Sequence, residues 1–330
     1  MALNDRTHAG PVLVLVDHRD GVVAGPTLEL LTVARSLGRV HALWRGAAPD
    51  GRAIRSLGEY GAEVVHHIAA VDPDAELSAV LAHDLVDVAE SGAVSTVLLS
   101  STAQHKEAAA RAAFVLGSGL VVDAVGVRHE QDARVEATVH AFAATWAVRI
   151  DVGHPRAVIT LRPGAVAPDA VQEALFPEVR PRRPENSVDL RGVRVLERIA
   201  HPSSYGPDLA SARVVVAGGR GTDGDFSALR ELAVALGGAV GSTRVATDEG
   251  WIGTETQIGQ TGVAVAPALY IGAGISGAVH HRSGMQSAGT IVAINTDPEA
   301  PIFELADFGV VGDLFTVLPQ LTAELRRLRT

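Results

Sequence analysis

The order of apolar and polar positions divides the chain into strand-length buried runs that alternate with helical patterns. Residues 11–17 (PVLVLVD) form a continuous apolar run, and residues 27–37 place apolar side chains at the helical period. A strand over 40–44, a helix over 53–60, a strand over 62–68 and an amphipathic helix over 77–90 follow. Apolar runs at 94–100 and 119–123 flank a helix over 106–116. Strand patterns separated by helices predict a parallel sheet covered on both faces. Residues 135–152 and 156–162 alternate apolar and polar positions, which predicts an antiparallel extension of that sheet.

Between residues 177 and 207 the pattern lapses. Pro177, Pro181, Pro184, Pro202 and Pro207 sit there among arginines and serines. Proline fixes φ and removes a backbone donor, so this stretch predicts an extended arm, with a domain boundary near residue 205. The alternation then restarts with a strand at 213–217, a helix at 226–236, a strand at 269–271 and a short helix at 276–285. A strand at 290–295 and a closing helix at 314–328 complete it. The expected fold class is α/β with two doubly wound domains, an N-terminal nucleotide-binding-like domain over 1–205 and a second over 206–330. A length of 330 residues suits two domains of ordinary size.

Composition narrows the chemistry. The 28 basic and 38 acidic residues give a net charge of -10, which argues against nucleic acid or an anionic membrane as partner. The absence of cysteine excludes disulfides, thiolate nucleophiles and cysteine-ligated zinc or iron–sulfur centres. Redox chemistry would therefore rest on a bound organic cofactor or another metal centre. Residues 1–10 lack the apolar core of a secretion signal, and no apolar run approaches the ~18 residues of a membrane span. A cytoplasmic protein is expected.

Five segments of the second half carry candidate chemistry. Gly218-Gly219-Arg220-Gly221 follows a strand, and with Gly224 it spells G-x-G-x-x-G. Such a turn lets backbone amides approach an anion, although a plain tight turn fits equally and no acidic ribose partner is evident after the next strand. Residues 241–250 (GSTRVATDEG) place Arg244 in a loop. Gln257-Ile258-Gly259-Gln260-Thr261-Gly262 reads as a glycine-bracketed loop or a simple hairpin. The stretch 269–281 (LYIGAGISGAVHH) runs strand, glycine loop, helix, with Ser276 where an N-cap belongs. Neighbouring histidines on a helix point about 100° apart, so His280 and His281 are not expected to chelate a metal together. In the fifth stretch, Asn295 ends a buried strand, where open α/β sheets bind ligands, and Asp313 is placed to cap the final helix.

Taken in order, GGRG, TR, QIGQTG, LYIGAGISGAVHH and TIVAINTDPEAPIFELADFGVVGDL resemble the C-terminal FAD domain of electron-transfer flavoprotein alpha subunits. The N-terminal half is similar to the same family more loosely, through TLELLTVARSLG and the small-residue segment 101–123. The resemblance implies that Arg220 lies near the FAD diphosphate and that Thr243, where many members have serine, bonds phosphate. It implies Arg244 beside the isoalloxazine ring, where a cation that is charged at any physiological pH favours the anionic reduced ring. Ile258, Gly259, Gln260 and Thr261 would run along the flavin, with Thr261 near N5. Ser276, Gly277, Ala278, Val279, His280 and His281 would form the helix start, with Ser276 toward phosphate and His281 donating toward the ring. Asn295, Asp313 and Leu314 would stand at the adenosine end. His280 departs from the family, where glutamine is common.

As a whole, the resemblance implies a redox carrier without turnover of its own, paired with a beta subunit that the N-terminal domain and its arm contact. That partner would hold AMP, or a second FAD in an electron-bifurcating relative. Electrons would come from flavin dehydrogenases such as the acyl-CoA dehydrogenases of fatty acid β-oxidation and leave to a membrane quinone oxidoreductase. A nicotinamide-dependent dehydrogenase and a flavin-free nucleotide-binding scaffold are the competing readings.

Overall fold

The computed structural model describes residues 10–69, 74, 77–129, 134–142, 146–183, 193–197, 206–210 and 212–328. By contacts the chain forms two units, one of Met1–Ala141 with Ala147–Ile199, the other of Phe142–Trp146 with Ala200–Thr330. The expected boundary near 205, with Pro184 and Pro202, lies outside the described residues.

The first unit opens on β1 (Val12–Leu15), the hairpin β2 (His18–Arg19) and β3 (Val22–Val23), and α1 (Gly25–Leu37). β4 (Val40–Arg45), α2 (Gly51–Glu59), β5 (Ala62–Ile68) and α3 (Ser78–Ser91) continue the alternation. They are followed by β6 (Thr96–Ser100), α4 (Ala103–Leu116), β7 (Gly119–His129), β8 (Val135–Ala141) and β9 (Trp146–Asp151). β10 (Ala157–Leu161) and β11 (Glu178–Arg182) end the unit. The strands form one nine-stranded sheet in the order β11-β5-β4-β1-β6-β10-β7-β8-β9. Successive strand residues point to opposite faces. Val12 and Val14 therefore pack with Leu30, Leu31 and Trp44 on one side, and Leu13 and Leu15 with Leu85 and Ala109 on the other. Each such fully buried side chain contributes ~1.5–3 kcal/mol.

Two expectations change here. The antiparallel extension is real for β8, which pairs antiparallel with β7. β10, however, is a fully buried strand that lies parallel between β6 and β7, so it belongs to the sheet's interior. The alternation in 156–162 comes from Thr160, whose buried hydroxyl contacts the Ser101 hydroxyl at 2.9 Å and accepts from Asp123 N at 3.0 Å. Part of the proline-rich arm is itself a strand. β11 pairs parallel with β5 at the sheet edge, where Pro181 is tolerated because a missing donor can face outward. In the TLELL segment, Glu29 is buried on α1 and accepts from Gly164 N at 2.8 and 3.0 Å; burial pushes its carboxyl up to about 7.

The second unit comprises β12 (Val214–Gly218), a 3-10 turn (Arg220–Thr222), α5 (Ser227–Leu236), β13 (Ala239–Ser242) and α6 (Arg244–Asp248). β14 (Leu269–Ala273), α7 (Val279–Met285), β15 (Thr290–Asn295), β16 (Phe308–Val311) and α8 (Leu314–Leu328) complete it. Its five strands are all parallel in the order β13-β12-β14-β15-β16. One face carries a core around Tyr270, Met285 and Ile302, the other a core around Phe226, Leu229 and Leu318. From β12 the chain first steps outward to β13 and then returns to β14 on the other side. That reversal opens a crevice at the carboxyl ends of β12 and β14, the position where such sheets bind ligands.

Candidate functional site

A cavity of about 980 Å³ occupies the carboxyl end of this second sheet. Every strand sends a loop to it. Arg220 and Gly221 come from β12, and Thr243, Arg244, Val245 and Asp248 from β13 and α6. Gln257, Ile258, Gly259, Gln260 and Thr261 form one wall, and Gly274, Ile275, Ser276, Ala278, His280 and His281 follow β14. Residues 294–297 after β15 and Gly312, Asp313 and Leu314 after β16 close it.

The floor exists because two backbones touch. Gly221 N donates to Gly274 O at 3.0 Å, and a Cβ on Gly221 would stand 2.7 Å from Gly274 Cα. Gly274 itself has φ +63, a left-handed conformation that glycine adopts without penalty. Both loops thus run close enough to leave main chain, rather than side chain, facing the cavity at Gly221 and Gly274.

A buried hydroxyl on the wall lacks a partner within the protein. The Thr243 hydroxyl is buried without a hydrogen bond. Leaving such a group unsatisfied costs roughly 1–3 kcal/mol, and a bound ligand oxygen would relieve that cost. Arg220 opens the 3-10 turn with its guanidinium exposed beside the cavity. With the glycine floor and the cavity's size, this donor set fits an elongated dinucleotide carrying a central diphosphate. Thr243→Val is expected to stabilise the ligand-free protein by ~1 kcal/mol while weakening ligand retention, as read from melting curves with and without ligand.

Arg244 is not in a loop. It is the first residue of α6, and its Nε donates to Asp248 Oδ2 at 3.2 Å, one helical turn on, with both side chains about two-thirds exposed at 68% and 63%. The expected lone cation is therefore half of an ion pair that borders the cavity. No pattern in the sequence distinguished Asp248 from an ordinary i, i+4 surface partner.

His281 lies deeper than expected. Its Nδ1 donates to the Ile258 carbonyl at 3.1 Å, and its Nε2 accepts from the Tyr270 hydroxyl at 2.7 Å. Both ring nitrogens are engaged inside the protein, which differs from the donor role toward a flavin ring. Burial pushes its pKa down to about 4 from an ordinary 6.5, so the ring is neutral at pH 7. The unfolded chain then binds the extra proton between those values, and stability falls as pH drops through that range. The full loss is worth roughly 3 kcal/mol. Comparing urea midpoints of the parent and His281→Gln from pH 7 to pH 4 should show a steeper fall in the parent. His280, by contrast, is exposed at the cavity and bonds Gln260 Oε1 through Nδ1 at 2.8 Å.

Ser276 lines the cavity, but the helix begins three residues later and its N-cap is Ala278, so Ser276 caps nothing. Gly277 and Val279 are not on the wall; Gly277, at φ +87, packs its Cα against Ile302. Asn295 lines the cavity with its amide committed to Ile275 O and Asp297 N, at 2.9 and 3.1 Å. Asp313 caps α8, its Oδ1 accepting from Phe315 N at 3.0 Å. Gln257, Asp248, Thr296 and Asp297 line the cavity without having been singled out. The strand after the glycine turn ends in Ser242, with no carboxylate there for a nicotinamide ribose.

The fold and this cavity define a doubly wound, dinucleotide-binding domain. Comparison with known families is specific about which. Residues 12–184 match the electron transfer flavoprotein domain, and residues 208–286 match the electron transfer flavoprotein FAD-binding domain. The chain is 42% identical over 317 residues to the electron transfer flavoprotein subunit alpha of Mycobacterium leprae, covering 94% of this chain and 96% of that one. The corresponding subunit of Mycobacterium tuberculosis is 42% identical over 325 residues, covering 96% and 98%. That of Bacillus subtilis is 35% identical over 325 residues, again covering 96% and 98%. The chain belongs to the electron-transfer flavoprotein alpha-subunit family, and its second unit is an FAD-binding domain.

Proposed function

We propose that this chain is the FAD-carrying half of a heterodimer with an electron-transfer flavoprotein beta subunit, and that it relays electrons without turning over a small molecule itself. The observation that supports this best is the convergence of Arg220, Thr243, Arg244, Gln260 and Thr261 on one cavity at the sheet's point of reversal. Arg220 and Thr243, with the main chain of Gly221 and Gly274, would hold the diphosphate. Arg244 and residues 257–261 would border the ring, and residues 295–297 with Asp313 the adenosine end. The flavin supplies reversible electron uptake; the protein binds it, orients it and sets the charge around it.

The electron donors would be flavin dehydrogenases such as acyl-CoA dehydrogenases, and the acceptor a membrane quinone oxidoreductase. Among the described residues no helix is long and apolar enough to cross a membrane. Co-expression with a beta subunit, an absorbance spectrum and a count of flavins per dimer test the reading. A yellow dimer with one FAD supports a simple carrier, and two FAD would mark a bifurcating one. A dimer that stays colourless after FAD is added overturns the proposal.

A further inference from the structure

The wall of the cavity holds a chain of three side chains whose proton count has two solutions. Thr247, buried on α6, directs its hydroxyl at Arg244 O, 2.8 Å away, and at Gln257 Oε1, 2.9 Å away. Gln257 Nε2 in turn lies 3.0 Å from Thr261 Oγ1. A hydroxyl has one proton, so Thr247 satisfies only one of its two acceptors at a time. A glutamine amide turned over by 180° exchanges its donor and acceptor while the heavy atoms keep their places.

In the first arrangement Thr247 donates to Gln257, Gln257 donates to Thr261, and the Thr261 proton is left to point away from Gln257. In the second, Thr247 donates to Arg244 O, the turned amide donates to Thr247, and Thr261 donates to the amide oxygen. Thr261 then shows only lone pairs to its other neighbours. Both arrangements give the Gln257 amide oxygen a donor and its nitrogen an acceptor, and they differ in where the Thr261 proton goes. The backbone of Gln257 is held in either case, its N donating to Thr254 O at 3.1 Å and its O accepting from Val263 N at 2.7 Å. Thr261 is exposed and lines the cavity with Gln257.

We infer that Gln257 is a positioning residue that sets the hydrogen-bond polarity of the Thr261 hydroxyl toward the cofactor, its amide turning over with the cofactor's redox state. The inference rests on the reading that the flavin ring faces Thr261. A flavin held there would take up two electrons from a donor flavoprotein and two protons from solvent, so the ring edge that Thr261 faces would accept a hydrogen bond in one state and donate one in the other. A neighbour that only donates, or only accepts, suits one of these states; the Thr247–Gln257–Thr261 chain suits both without moving a heavy atom.

The test uses the FAD-loaded heterodimer carrying Gln257→Met, Thr261→Val or both, with the visible spectrum, the midpoint potential and the oxidised-minus-reduced infrared spectrum as readouts. Gln257→Met leaves Thr247 bonded to Arg244 O, so folding is retained. Each single variant should shift the two-electron equilibrium about tenfold or more, ~30 mV, and the double variant should match Thr261→Val alone. The parent's infrared difference spectrum should contain a side-chain amide carbonyl band that both single variants lose. Additive shifts, or a parent spectrum without that band, overturn the role of Gln257. A Thr261→Val protein that binds FAD with unchanged spectrum and potential instead overturns the placement of the ring, and the inference with it. Failure to hold FAD at all is the separate failure of the proposed function.

Discussion

Replacing Arg244 with alanine is expected to lower the midpoint potential of the bound FAD, and replacing Asp248 with asparagine to raise it. The two changes act on the same ion pair, Nε to Oδ2 at 3.2 Å, from opposite ends. A unit charge a few ångströms from the ring in a partly wet cavity is worth ~1–4 kcal/mol, or roughly 40–170 mV for one electron. Because both side chains are exposed, screening holds the ligand-free pair itself to ~1 kcal/mol or less, so neither variant unfolds the domain. Raising the salt concentration should narrow the gap between the variants. Potentiometry on the three heterodimers decides the matter, and shifts of the same sign would show that the pair does not face the ring.

The second large effect falls on the floor of the site. Gly274→Ala forces a Cβ to 2.8 Å from Leu314 Cδ2 and 2.9 Å from Gly221 Cα, at a residue with φ +63. Only one of these contacts is a side chain that can yield. Left-handed strain of ~1 kcal/mol or more adds to a backbone clash, and a loss of ~3 kcal/mol with failure to retain FAD is expected. Gly237→Ala is the control. Gly237 has a similar φ of +66 but open space around its Cβ, so that variant should lose only ~1 kcal/mol and keep its flavin. Thermal melts and flavin content, measured together, separate strain from steric exclusion.

Periodicity located most helices and strands of both sheets because their apolar runs are long and their helices amphipathic. It missed β13, four residues of which two are Gly241 and Ser242, and α6, a single turn too short to show a period. It also missed β16, whose four residues are exposed. β10 was misplaced since alternation and burial on both faces look alike when the polar residue is a threonine that finds partners inside. Within the site, the glycine-rich turns were legible as motifs. Hydrogen-bond commitments were not: nothing in LYIGAGISGAVHH says that His281 turns inward to Tyr270 and Ile258 while His280 stays at the surface. Likewise Gln257 sits inside a recognisable motif, yet its pairing with Thr247 depends on the turn of helix that the motif omits.

The insertion of β10 between β6 and β7 also orders events on the ribosome. β1, β4, β5 and β6 can pair with one another as they emerge, and β7 with β8, but nothing joins these two ribbons until residues 157–161 have been made. At ~5–20 residues per second, the roughly 60 residues from the end of β6 through β10 take about 3–12 seconds to synthesise. For that interval the inner edges of both ribbons lie open to neighbouring nascent chains, a hazard of unpaired strand edges. Slower translation across this stretch lengthens that exposure.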